Sequence, residues 1–143
     1  MSYHINLDEE IYELQGVFQS IGKSDFFELN NGNVGAVVYY RPDDYSFPEF
    51  EILIEFPQGY PDKPPNAWVM EPNIESGTPH VWKRDENGNT KICYIKPARW
   101  SSDLTSYDAA VMIQTWVYAY CHYKKTGNWG WEGVGFWGHL LPG

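Results

Sequence analysis

One cysteine is the strongest candidate for covalent chemistry in this chain. Cys93 lies between Ile92 and Tyr94, in a stretch whose scattered Pro and Gly residues predict a loop. A cysteine thiolate is a nucleophile that can attack a carbonyl carbon and hold the acyl group as a covalent intermediate. Taken alone, the pattern favours a buried cysteine that fills space, because free Cys is among the most buried residue types.

A histidine precedes this cysteine. His80 lies in Pro79-His80-Val81-Trp82, thirteen residues before Cys93. A neutral imidazole can donate or accept a hydrogen bond near pH 7, so His80 is a candidate general base or donor. The alternative is a histidine that orders the loop through hydrogen bonds to the backbone. The sequence leaves both interpretations open.

The second cysteine has a different pattern. Cys121 lies on the apolar stripe of a helix predicted over 105–124, which also contains Ala109, Met112, Ile113, Trp116, Val117 and Tyr120. We therefore expect it to be packed in the core. Cys121 and His122 are adjacent and no C-x-x-C or H-x-x-x-H spacing occurs, so no metal site is predicted. No phosphate loop or nucleotide fingerprint appears either, so no cofactor is predicted.

The elements that would position Cys93 follow from apolar periodicity. Helical spacing predicts a first helix over 7–21, with Asn6 as its N-cap and Gly22 ending it. Strands are predicted over 25–29, 34–41, 48–56 and 66–70, and 71–103 is predicted to be irregular. The order predicts an α+β fold: an N-terminal helix, a four-stranded antiparallel meander, a long loop carrying Cys93, and a second long helix.

Local signals refine this outline. Asn30-Asn31-Gly32-Asn33 predicts a hairpin turn, and Asn87-Gly88 predicts another at a solvated tip over 83–89. Thr105 followed by Asp108 predicts a capping box for the second helix. In the third strand Phe50, Ile52, Ile54 and Phe56 alternate with Glu51 and Glu55, which predicts one buried and one solvated sheet face.

A longer order of motifs resembles a known family. The third strand ends in F-P-x-x-Y-P-x-x-P-P over 56–65, and Ile92-Cys93-Tyr94, Trp100 and a helix start follow. This order resembles the core of ubiquitin-conjugating enzymes over roughly residues 5–125. The shortened C-terminus, with W-x-x-x-Y over 116–120 and T-G-x-W-x-W over 126–131, is similar to the prokaryotic branch found in antiphage and ubiquitin-like operons.

The resemblance implies a thioester on Cys93. The passenger would be the C-terminus of a ubiquitin-like protein or of a cyclic-oligonucleotide synthase, received from an adenylating activating enzyme and passed to an amine. The family places His-Pro-Asn before the cysteine and uses the Asn as oxyanion donor, whereas Trp82 stands at that position here. The oxyanion donor that replaces this Asn is then His80, Asn87, Asn89 or a backbone N–H. Alternatively, the protein is a non-catalytic binding module. A redox role is weakly supported because Cys93 has no resolving cysteine.

Composition excludes several classes of partner. The formal net charge is −9 and the few Lys and Arg residues are scattered, so we expect no direct contact with nucleic acid. No apolar run is long enough to cross a bilayer, and the start does not resemble a signal peptide. The length of 143 residues, 43% of them hydrophobic, predicts a single domain over 1–143. Two cysteines do not make a disulfide framework, so we expect the protein in the reducing cytoplasm.

The tail over 126–143 is rich in Trp and Gly. Trp129, Trp131, Phe136 and Trp137 either cover the core or form a protein interface, and we expect them to pack on the body of the protein. Trp100 is predicted to brace the loop beside Cys93, with a core anchor as the alternative.

Overall fold

The computed structural model describes residues 4–131 and 139–142 of the chain. Within them it contains two α-helices, α1 (Leu7–Leu14) and α2 (Ser106–Thr126), and six β-strands. The strands are β1 (Phe26–Glu28), β2 (Val34–Tyr40), β3 (Phe50–Phe56), β4 (Asn66–Glu71), β5 (Val81–Arg84) and β6 (Thr90–Ile92).

The six strands form one sheet in the order β1-β2-β3-β4-β6-β5, and each neighbouring pair is antiparallel. The core contains apolar side chains of the inner sheet face together with the buried stripe of α2. Phe50 of β3, for example, meets Tyr120 of α2 edge to face, with ring centroids 6.0 Å apart. The helix therefore covers one face of the sheet, as the α+β prediction requires.

The prediction of a four-stranded sheet was wrong, because the stretch predicted to be irregular contains β5 and β6. Their hairpin adds two strands beside β4, with β6 in the inner position. Apolar alternation does not reveal them, since β6 has three residues and β5 is exposed along most of its length. The predicted turn at Asn87-Gly88 does join these strands, and Gly88 has φ +84°.

The first helix is shorter than predicted. It begins after Asn6, whose side chain accepts a hydrogen bond from the N–H of Glu9 as expected, but it ends at Leu14 rather than before Gly22. Tighter turns follow, in which the N–H of Val17 donates to the carbonyl of Leu14 at 3.0 Å. These turns keep the apolar spacing, so Phe18 and Ile21 are still buried. Helical periodicity alone does not separate a helix from such turns.

The other element predictions hold to within about two residues. The four predicted strands correspond to β1–β4, and Gly32 has a positive φ in the turn between β1 and β2. Helix α2 begins after Thr105, whose N–H donates to the carboxylate of Asp108 at 2.8 Å, as the capping box predicts.

The outer sheet face is less solvated than predicted. Glu55 is only 6% exposed. Its carboxylate accepts hydrogen bonds at 2.8–3.3 Å from the side chains of Asn31, Asn33, Asn66 and Trp68. Burial acts to raise the pKa of Glu55, but these four donors outweigh burial and hold the pKa below its usual value. A buried carboxylate with neutral donors thus links the first hairpin to β3 and β4.

This network predicts a pH-dependent contribution to stability. Because the pKa of Glu55 is lower in the folded chain, the contribution is complete above the unfolded pKa of about 4.3 and is lost as the pH falls through the folded pKa. Glu55→Gln should lower the free energy of unfolding at pH 7 by about 1–3 kcal/mol, because it removes a charged acceptor. Urea unfolding from pH 7 to pH 3 checks this, with Glu51→Gln on the same strand as control. Equal effects of the two substitutions would contradict the account.

Candidate active site

The β5–β6 hairpin brings the two candidate site residues together. Val81 pairs with Ile92 at the open end of the hairpin. One residue further, the N–H of Cys93 donates to the carbonyl oxygen of His80 at 2.9 Å. The twelve intervening residues form the hairpin, so His80 and Cys93 are cross-strand neighbours.

His80 holds this position through its backbone. Its φ is +56°, which is uncommon for a residue with a side chain. Its carbonyl oxygen also accepts a hydrogen bond from the indole N–H of Trp116, at 3.0 Å. A single carbonyl therefore fastens the Cys93 backbone to a fully buried residue of α2.

The His80 ring lies among tryptophans. Its centroid is 5.0 Å from that of Trp129 and 5.2 Å from that of Trp131. Burial lowers the pKa of His80, so the imidazole is neutral at pH 7. The hydrogen bonds within the described residues include none between this ring and Cys93. The loop is held by the His80 carbonyl rather than by its ring, and both the catalytic and the loop-ordering interpretation of the imidazole stay predictions.

The Cys93 thiol is half-buried rather than fully exposed. Its sulfur lies 3.6 Å from the carbonyl oxygen of Ile95, toward which the thiol can donate. Burial raises the pKa of the Cys93 thiol, and the positive charge of Lys91 acts in the opposite direction. The free thiol is therefore mostly protonated at neutral pH. Its reactivity depends on the burial of the sulfur and on nearby charges such as that of Lys91 when a partner binds.

Two residues that follow Cys93 are fastened to the proline-rich segment after β3. The hydroxyl of Tyr94, which is buried, donates to the carbonyl oxygen of Pro65. The indole N–H of Trp100 donates to the carbonyl oxygen of Pro61 at 2.8 Å. Trp100 is also 8% exposed and belongs to the core cluster, so it is both the predicted brace and a core anchor.

The proline-rich segment is itself anchored to α1. The hydroxyl of Tyr60 donates to Glu10, a buried residue of that helix, at 2.8 Å. The motif F-P-x-x-Y-P thus connects the first helix, through Tyr60 and Pro61, to the residues that follow Cys93. This gives the motif a structural function that its sequence alone does not reveal.

Two of the candidate oxyanion donors lie too far from the thiol. Asn87 and Asn89 belong to the tip of the β5–β6 hairpin, where both backbone N–H groups donate to the Asp85 carboxylate at 2.9 Å. Asn89 is four residues from Cys93 along an extended chain, which is about 13 Å at 3.3 Å per residue. The structure does not bring either side chain to Cys93.

Cys121 lies where it was predicted, buried within the stripe of α2. Burial raises the pKa of its thiol to about 11. The two thiols therefore differ in exposure to solvent, since Cys93 is partly exposed and Cys121 is buried.

The described part of the tail packs on the body of the protein. Trp129 meets Trp116 edge to face at a centroid distance of 5.4 Å and also contacts Tyr123. Near the C-terminus Leu140 and Leu141 are buried, and the carbonyl oxygen of Leu140 accepts a hydrogen bond from the N–H of Lys96 at 2.8 Å. The predicted contacts of Phe136 and Trp137 lie outside the described residues.

Comparison with known proteins identifies the family. Residues 13–136 match the family of type II CBASS E2 proteins. The chain belongs to that family. No curated protein and no solved structure matches it. The resemblance to the prokaryotic branch of conjugating enzymes is thereby confirmed, and the protein is an E2-like protein of bacterial antiphage defence.

Over residues 4–131 and 139–142, no helix has both the length and the apolar character needed to span a membrane. The same residues contain no group of three or more His, Cys, Asp or Glu side chains arranged to hold a metal ion.

One residue beside Cys93 was missed by sequence analysis. Lys91 lies on β6 and precedes Cys93, the residue just after that strand, by two positions; Ile92 between them is buried, so the alternation of an extended chain places Lys91 and Cys93 on the same side. The spacing of Lys91 and Cys93 around Ile92 is present in the sequence, but it can be interpreted only once residues 90–92 are known to form a strand.

Proposed function

We propose that this E2-like protein carries the C-terminus of a partner protein as a thioester on Cys93 and transfers it to an amine. The passenger is a ubiquitin-like protein or the C-terminus of a cyclic-oligonucleotide synthase, and an adenylating enzyme activates it. The observation that carries the proposal is the position of Cys93: a half-buried thiol just after β6, with its own N–H bonded to the His80 carbonyl and with hydrogen bonds bracing the chain that follows it. We place the reaction in the cytoplasm, where thiols stay reduced.

The chemistry has two steps. The Cys93 thiolate attacks the activated carbonyl carbon of the passenger, a C–S bond forms, and the leaving group departs with its electron pair. An amine then attacks the same carbon, a C–N bond forms, and the Cys93 thiolate is expelled. Because both sulfur and acyl carbon must stay fixed through these steps, the hydrogen bonds of His80, Tyr94 and Trp100 support the reaction by holding the loop. In this proposal His80 is a positioning residue, because its carbonyl holds the backbone of Cys93.

A non-catalytic binding module is the second candidate. Trp82 at the position of the usual Asn favours it, and so does the burial that raises the pKa of Cys93. A module of this kind binds a partner through the surface around Cys93 without forming a covalent bond. The two functions differ in whether they need the sulfur atom of Cys93.

Phage protection of cells carrying the CBASS operon separates the two candidates. Cys93→Ala should reduce the efficiency of protection to that of cells lacking the gene, because the thioester cannot form. Cys121→Ala is the matched control and should keep protection, because its thiol is in the core. Immunoblots establish that both variants accumulate. Full protection by Cys93→Ala at normal protein levels would favour the binding module and contradict the transferase.

A further inference from the structure

The outer face of the sheet places one cation beside Cys93. Lys91 and Cys93 are two residues apart on an extended chain, and their Cα atoms are therefore about 7 Å apart on the same face. The buried Ile92 lies between them and fixes this alternation, since a shift of one residue would expose it. The Lys91 side chain is long enough to bring its ammonium group over an acyl group attached to the Cys93 sulfur.

A pocket beside Cys93 has Lys91 on its wall. Its volume is about 160 Å³, and Ile92, Tyr94 and Ile95, which flank Cys93 on both sides, line it together with Lys91, Trp82 and Pro97. Lys91 is the one charged residue among the described residues that line this pocket. Cys93 itself is not among the lining residues, but both of its chain neighbours are, so an acyl group on Cys93 would lie next to a pocket whose one charged lining residue is Lys91.

The β5–β6 pairing explains why Trp82 lines the pocket. The register shifts between Val81 and Lys83, so an extra residue enters β5 at Trp82. A bulge of this kind redirects a side chain, and the Trp82 ring is 54% exposed while it lines the pocket that Lys91 shares. Burial lowers the pKa of Lys91. Partial removal of water makes its interaction with a developing negative charge stronger than in bulk solvent.

The other candidates for an oxyanion donor do not reach this space. The His80 ring is packed against Trp129 and Trp131. The side chains of Asn87 and Asn89 belong to the hairpin tip. Lys91 is the charged donor among the described residues that line the pocket beside Cys93.

We propose that Lys91 is a catalytic residue that donates a hydrogen bond to the carbonyl oxygen of the acyl group on Cys93. When the amine attacks, the carbonyl electron pair moves to this oxygen, and the ammonium group stabilises the resulting oxyanion. The oxyanion then collapses, the C–S bond breaks, and the proton of the attacking amine passes to solvent. Lys91 keeps its own proton throughout. This inference rests on the proposed function, because it assigns the group that assists the second step.

Single-turnover discharge of a thioester tests the inference. The full chain is loaded with a short peptide thioester ending in glycine, by exchange onto Cys93, and is then discharged with free lysine. Lys91→Met should slow discharge by about 100-fold, the effect of losing one oxyanion donor. Loading should slow by a smaller factor than discharge, because a thiolate is a stronger nucleophile toward the thioester than an amine, and part of the loss reflects the smaller thiolate fraction of Cys93. Lys91→Arg should recover most of the discharge rate, since it keeps a charged donor.

Lys83→Met is the matched control. Lys83 pairs with Lys91 across the hairpin, and its ammonium group lies over the Trp68 ring at 5.8 Å, so this variant removes the same charge from the neighbouring strand. It should discharge at the wild-type rate. Melting temperatures of all variants establish that they are folded.

Several outcomes would overturn the inference. Wild-type discharge by Lys91→Met would do so directly. A slow Trp82→Phe variant beside a normal Lys91→Met would assign the donor to the indole N–H. A reductant-resistant adduct that forms on the wild type and disappears in Lys91→Arg would make Lys91 an acceptor of the acyl group instead.

A second measurement needs no passenger. Alkylation of Cys93 by iodoacetamide across pH should show a higher apparent pKa for the thiol in Lys91→Met, because the positive charge no longer favours the thiolate. An unchanged profile would show that Lys91 does not face the sulfur and would overturn the inference. The expected shift in Lys91→Met, together with a wild-type protein that never forms a thioester, would instead defeat the proposed function.

Discussion

Trp129→Ala should lower the free energy of unfolding by about 3 kcal/mol, near the lower end for loss of a packed tryptophan because the residue is only partly buried. The Trp129 ring contacts Trp116, Tyr123, Trp131 and His80, with centroid distances of 5.0–6.0 Å. Its removal would leave a space next to α2 and would free one side of the His80 ring. Chemical denaturation followed by far-UV circular dichroism measures the effect.

Two further variants separate ring packing from other causes. Trp129→Phe should be much milder, because it keeps an aromatic ring and removes an indole N–H that is buried without a hydrogen-bond partner among the described residues. Trp82→Ala removes an equally large side chain that is 54% exposed and should change stability by less than about 0.5 kcal/mol. Normal stability of Trp129→Ala, with loading by the activating enzyme lost, would show instead that the tail is a docking element.

The parts of the fold that sequence analysis predicted are those with local signals. Helix α2 has a capping pair at Thr105 and Asp108 and a stripe of buried apolar residues from Ala109 to Cys121. The β1–β2 hairpin has a turn that requires a positive φ at Gly32. Each of these patterns lies within the element that it specifies, and therefore the sequence reveals it.

The parts that were missed depend on distant residues. Strand β6 has three residues and exists because β4 and β5 pair with both of its edges. The carboxylate of Glu55 is buried with four donors that converge on it from two other places in the chain, the β1–β2 turn and β4. No local pattern encodes such convergence.

The candidate site divides in the same way. Cys93 was predicted from its flanking residues and from the order of motifs around it. Its contact with the His80 carbonyl and its proximity to Lys91 required the register of the β5–β6 hairpin. The sequence therefore predicts the nucleophile, whereas the tertiary structure is needed to identify the groups around it.

Substitution of Cys93 should have the largest effect on function. Cys93→Ala should abolish formation of the covalent adduct, because no other described thiol is both accessible and close to the braced loop. Cys93→Ser should load slowly, since a hydroxyl is a weaker nucleophile than a thiolate, and its adduct should be an ester that survives thiol reductants. Gel electrophoresis with and without reductant distinguishes the three proteins. Wild-type loading by Cys121→Ala is the expected control result.

The most direct test of the transferase proposal is the intact mass of the protein after incubation with ATP, the activating enzyme and the passenger encoded beside it. The proposal predicts a species heavier by the mass of the passenger minus one water, lost on treatment with hydroxylamine and mapped by peptide analysis to Cys93. The same adduct on Cys93→Ala, or its complete absence from the wild type while the activating enzyme adenylates the passenger, would contradict the proposal.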